Sequence, residues 1–180
     1  MAVQGTTRHD APVTPPLSAG SGIADPGQLG LAGFALTTFV LSCYNAKLIG
    51  TGEGVVLGLA LAYGGIAQLL AGMWEFVKGN TFGAVAFSSY GGFWLSFWYL
   101  VNHLPADAKG NDLPHGLGVY LLGWGIFTTY MFIASTRVSG AVMAVFAALA
   151  LTYFALAIGN FGISEGWTKF GGWLGLITAV

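Results

Sequence analysis

Most of this chain consists of apolar runs long enough to cross a bilayer, and none of them carries an Asp, Lys, Arg or His near its middle. A transmembrane helix needs about 20 mainly apolar residues. In hydrocarbon every backbone N–H and C=O must find its partner within the chain, which forces these runs to be helical. Residues 29–48, 55–77, 82–104, 115–135 and 140–160 each supply one span. A sixth run, 170–180, is apolar but about half the length required, so the chain is expected to stop inside a helix, with a short re-entrant end as the alternative.

Composition excludes the soluble class: 55% of the 180 residues are hydrophobic and 7% are charged, against about 25% charged in ordinary soluble domains. Residues 1–26, rich in Gly, Pro, Ser and Thr, lack the apolar core of a secretory signal and read as a flexible tail. Residues 27–180 form the membrane body. Its turns are short: Gly50-Thr-Gly-Glu53-Gly, Lys78-Gly-Asn-Thr and Arg137-Val-Ser-Gly. Only 105–114 makes a longer connection. Short connections make neighbours antiparallel, so the expected fold is an all-α integral membrane protein, a six-transmembrane-helix bundle with its sixth helix incomplete. Arg8, Lys78 and Arg137 fall on one side and Lys47, Lys109 and Lys169 on the other, so charge bias does not orient it.

Small and polar residues recur at helical spacing inside the spans. Gly65, Gln68, Gly72 and Glu75 share one face, as do Thr38, Ser42 and Asn45, and Ser89, Gly92 and Ser96. Helix packing through small residues and amides explains such stripes equally well. Glu75 and Lys78 together read as the membrane–water interface between two spans, with Glu75 an interfacial carboxylate.

Several function classes drop out. A net charge of −1 without a basic block leaves nucleic acid no footprint. The single cysteine, Cys43, permits no disulfide within the chain and reads as a small buried hydrophobe. His103 and His115 flank the long loop without ligands at metal spacing, and no hydrolase, zinc-protease or phosphate-cradling motif occurs, so neither enzyme nor cofactor is expected. Without intramembrane charges, what remains is a narrow, neutral, aromatic-rich pathway. A hydrophobic constriction rejects hydrated ions by dewetting, yet could pass a small weak acid in protonated form. Phe34, Tyr90 and neighbouring hydroxyls and amides suit that task, although periodicity does not select them.

Six stretches, in order and each in or beside a span, resemble the acetate uptake transporter family. They are Leu29-Gly-Leu-Ala-Gly-Phe34-Ala-Leu-Thr-Thr38, Tyr63-Gly-Gly-Ile-Ala-Gln68, Gly79-Asn-Thr-Phe-Gly83, Ser89-Tyr90-Gly-Gly-Phe93-Trp94, Gly118-Val-Tyr-Leu121 with Trp124-Gly-Ile-Phe127, and Ala157-Ile-Gly-Asn160. The resemblance implies a six-helix protomer in a homohexameric ring in a prokaryotic cytoplasmic membrane. Each protomer would have its own pore for acetate, succinate or related carboxylates. It also implies a constriction of Phe, Tyr and Leu. By motif position these are Phe34 and Tyr90, with Leu149 counted back from Asn160. Thr38, Asn45, Gln68, Ser89 and Asn160 become pore-lining or packing residues. The family's entrance motif, Asn-Pro-Ala-Pro-Leu-Gly-Leu, stands here as Asp25-Pro26-Gly27-Gln28-Leu29-Gly30-Leu31. An acidic Asp25 should repel carboxylates at the mouth unless it caps the first helix. Two other readings stay open: a non-transporting structural subunit of a larger complex, and a channel for ammonium or a small neutral solute.

Overall fold

A computed structural model describes residues 22–50, 53–103 and 112–180; most of the expected tail, 1–26, lies outside them. The described residues are helical and contain no strand. The helices are α1 (Gly27–Asn45), α2 (Glu53–Leu61), α3 (Gln68–Lys78), α4 (Thr81–His103), α5 (Asp112–Ser135), α6 (Gly140–Asn160) and α7 (Glu165–Ala179). A π-helical segment, Ala62–Ala67, joins α2 to α3 into one rod. Within it Gly64 presses against Trp94 and Thr37, where a Cβ would have no room. π turns interrupt α-helices where local packing requires a shifted register.

Helix ends follow local chemistry. Gly79 closes α3 in the left-handed conformation (φ 82°), and Asn80 starts α4 by accepting the Gly83 N–H at 3.2 Å. Ser139 and Ser164 cap α6 and α7 through their hydroxyls. Four helical stretches are long and apolar enough to cross a membrane: Gly27–Asn45, Gly54–Lys78, Leu113–Ser135 and Gly140–Asn160. α4 has the length, 23 residues, but its Ser, Asn and His residues make it less apolar. α7 begins at Glu165, five residues before the expected start, because the Ser164 cap and first-turn Glu165 favour initiation there. Its 15 residues rise about 22 Å, short of a hydrocarbon core of about 30 Å.

The rods form a closed ring in the order α4, α3, α1, α7, α6, α5. Along most of the ring the backbones pack closely; α4 and α5 instead meet through long side chains. Tyr90 bonds Thr128 at 2.8 Å, Ser96 bonds Tyr120 at 2.6 Å, and the Tyr120 hydroxyl also donates to the Phe93 carbonyl. The centre holds an aromatic cluster including Phe34, Tyr90, Phe93, Trp94, Phe146 and Tyr153. Outside, Leu70, Phe76, Val119, Ile133, Trp173 and Ile177 are exposed. An apolar exterior of this kind suits contact with lipid.

Candidate functional site

Two cavities are lined by helices of the ring. The larger, about 400 Å³, is lined by Thr38, Asn45, Thr152 and Asn160 among aromatic side chains. The smaller, about 210 Å³, is lined at its polar end by Asp25, Gln68, Glu75, Lys78 and Asn80. Three side chains line both: Phe34 from α1, Tyr90 from α4 and Leu149 from α6. They are 8%, 3% and 4% exposed, and the Phe34 and Tyr90 rings lie 6.1 Å apart. The two cavities meet at this trio, here termed the waist.

Aromatic packing holds the waist in place. Tyr90 contacts Phe127 edge-on at 5.6 Å and lies 6.1 Å from the rings of Trp124 and Phe146. Thr128 donates to the Trp124 carbonyl, which leaves its oxygen to accept from the Tyr90 hydroxyl. The phenol is thereby engaged on α5.

The remaining expected residues are scattered differently. Thr38, Asn45 and Asn160 face the larger cavity and Gln68 the smaller. Ser89 is half-buried and lines neither cavity. In the entrance stretch, Asp25 and Leu31 line the smaller cavity, Leu29 faces outward, and Gly30 packs on Phe87. The Pro26 carbonyl accepts the Gly30 N–H at 3.1 Å, opening α1. Cys43 is half-buried and free. Among the described residues no three His, Cys, Asp or Glu side chains gather as a metal site.

Asp25 does not stand as a bare anion at the mouth. It pairs with Lys78 at 2.8 Å and accepts the Gly27 N–H at 3.0 Å. The hydrogen bond from Lys78, then that from Gly27, holds its carboxyl below the usual carboxylate value. The Lys78 pair and the Gly27 bond offset the expected repulsion.

Glu75 departs most from expectation. It is 1% exposed, turned into the protein and away from its surface, and its Oε2 has no hydrogen-bond partner. The stripe it shares with Gly65, Gln68 and Gly72 is buried throughout, because that face of the rod turns inward against α1 and α4. The i, i+7 spacing of Gln68 and Glu75 carried this signal, but the fall in hydropathy beyond Glu75 reads more readily as the end of a span.

Comparison with known proteins adds a separate line. Residues 11–180 match the GPR1/FUN34/yaaH family. The chain is 47% identical over 163 residues to Ammonia transport outward protein 2 of Saccharomyces cerevisiae, covering 87% of this chain and 57% of that protein. It therefore spans little more than half the length of that relative. It is 42% identical over 158 residues to the succinate-acetate/proton symporter SatP of Escherichia coli, covering 86% of this chain and 82% of that one. Among solved structures, that of the bacterial acetate channel SatP superposes with a TM-score of 0.80 at 40% identity, covering 87% of this chain and 86% of that one.

Proposed function

The chain belongs to the GPR1/FUN34/yaaH family, and on that premise we propose that it is a membrane channel or transporter for acetate and related small carboxylates, succinate among them, with proton-linked transport. The observation that carries this reading is the sharing of Phe34, Tyr90 and Leu149 by both cavities. These are the side chains assigned to the constriction from motif position. The names of the bacterial relatives, a succinate-acetate/proton symporter and an acetate channel, supply the substrate class.

The mechanism follows from the waist. Desolvating an ion costs several kcal/mol, whereas a neutral acid loses only a few hydrogen bonds. A hydrated anion is therefore stopped at Phe34, Tyr90 and Leu149, and the protonated acid passes. Thr38, Asn45 and Asn160 rehydrate it in the larger chamber, and Gln68 meets it in the smaller one. Six crossings per protomer, with α4 and α7 completing the ring, and a homohexamer in a prokaryotic cytoplasmic membrane, with one pathway per protomer, complete the proposal.

Labelled acetate uptake into proteoliposomes, with and without an inward proton gradient, tests it. Uptake above empty liposomes and faster with the gradient is expected; uptake no greater than the leak of free acetic acid sinks the reading. A second reading, a pathway for ammonium or a neutral solute, draws on the name of the yeast relative. It prevails if ammonium or methylammonium crosses while acetate does not.

A further inference from the structure

The waist creates a chemical difficulty, since near neutral pH a small carboxylic acid is almost entirely ionised and the waist admits its neutral form. Something must deliver the proton on the approach side. We propose that Glu75 is the proton-binding residue of the pathway, exchanging a proton with the permeant carboxylate in the smaller cavity. The proposal rests on the carboxylate-transport reading above.

Glu75 is 1% exposed, lines the smaller cavity, and keeps Oε2 free of any partner. Glycines at the start of two helices lie against it. A Cβ on Gly27, at the start of α1, would sit 3.2 Å from Glu75 Oε1. One on Gly83, in the first turn of α4, would sit 3.1 Å from Glu75 Cδ. Helix N-termini favour negative charge, so the ionised form left after proton release is supported where it stands.

One other charge reaches Glu75, that of Lys78, and it is shared with Asp25. Asp25, ahead of α1, and Lys78, one turn along α3, also line the cavity but pair with each other at 2.8 Å. α1 and α4 bring no charged side chain to the lining, and the Asn80 carbonyl between α3 and α4 is taken by the Gly83 N–H. From α6 come Val142, Val145 and Phe146. Arg137, beside the lining Val138, is exposed. Among the described residues Glu75 is the lining carboxyl without an ion pair.

A second orphan oxygen lies nearer the waist. Gln68, 1% exposed, keeps Oε1 unpartnered. Its Cβ lies 3.5 Å from where a Cβ on Gly33, the neighbour of Phe34, would be. Seven residues of helix place it about 10 Å from Glu75 along the axis. The transfer balances simply. The O–H bond of protonated Glu75 breaks and an O–H bond forms on the permeant carboxylate. Glu75 remains as carboxylate and the neutral acid donates its new O–H to Gln68 Oε1 before the waist. Water at the mouth returns a proton to Glu75, so one proton accompanies each acid molecule.

The test combines two readouts on the full chain in proteoliposomes. In the first, acetate uptake of wild type and Glu75→Gln is measured from pH 5 to pH 8 after subtraction of empty-liposome leak. Glu75→Gln is expected to fall at least tenfold below wild type near pH 7 and to come within about twofold near pH 5. Its uptake should follow the neutral acid fraction, falling by roughly tenfold per pH unit above about pH 6 and more gently near pH 5. Parallel profiles for the two proteins overturn the proposal. In the second, dicyclohexylcarbodiimide, which attacks protonated carboxyls in apolar surroundings, is applied to the wild type and the modified residue is located by mass spectrometry. Labelling of Glu75 that rises as pH falls and is blocked by acetate is expected; no labelling of Glu75 across the range overturns the proposal, even if Glu75→Gln fails to assemble. A wild type that labels at Glu75 but carries no acetate overturns the transport reading instead.

Discussion

Replacing Gly72 with alanine should loosen the waist from a distance. A Cβ at Gly72 would lie 2.5 Å from the Ser88 backbone nitrogen, whereas ordinary contact begins at 3.4 Å. The neighbour is backbone and cannot rotate away, so α4 must retreat from α3 by the difference, about 0.9 Å. Tyr90 lies two residues beyond Ser88 and moves with it. Overpacking of this kind costs about 1–3 kcal/mol. Gly92→Ala is the internal control, because a Cβ there meets nothing within 4 Å. Thermal stability in detergent, followed by size-exclusion chromatography, and the flux ratio of benzoate to acetate in proteoliposomes are the readouts. Gly72→Ala should melt earlier than wild type and raise the ratio several-fold, with Gly92→Ala unchanged in both. Wild-type stability and an unaltered ratio in Gly72→Ala would refute the link between α3–α4 spacing and the waist.

Tyr90→Phe loses the hydroxyl donated to Thr128 but keeps the ring and its aromatic contacts. A loss of about 1 kcal/mol of stability with acetate uptake within a few-fold of wild type is expected in the melting and uptake assays, whereas Tyr90→Ala should change selectivity. Asp25→Asn leaves Lys78 unpaired at the mouth, so uptake at low acetate should rise at low ionic strength and return to wild type in high salt. Asp25 has a lowered pKa in the folded chain, so what its carboxylate contributes is present above its ordinary value of 3.8 and is lost as pH falls through the lowered one. A wild-type uptake profile between pH 5 and pH 8 should therefore keep its shape in Asp25→Asn.

Four spans were readable because a bilayer imposes one requirement on every residue of a crossing, and hydropathy reports it directly. Motif text pointed to Phe34 and Tyr90, and counting along α6 to Leu149, and these are the three side chains that both cavities share. Other features depended on tertiary contacts. The π segment at Ala62–Ala67 follows from how Gly64 and Gly65 meet Thr37, Trp94 and Leu95. Glu75 resembled an interfacial residue because Lys78 and Gly79 follow it, yet the inward turn of that face buries it. The bond from Tyr90 to Thr128 joins helices whose backbones stand apart, and no spacing within either one announces it. The start of α7 was obscured by Glu165 and Lys169, whose charges suit a helix's first turns as readily as a loop.

The most direct test of the pathway places a thiol at the waist. In a Cys43→Ser background, Leu149→Cys is the one thiol in the chain. Labelled acetate uptake is measured before and after methyl methanethiolsulfonate, with labelling verified by mass, and again after reduction. If acetate crosses between Phe34, Tyr90 and Leu149, uptake falls to the liposome leak, recovers on reduction, and is protected by acetate during labelling. Complete labelling with unchanged uptake would place the route elsewhere.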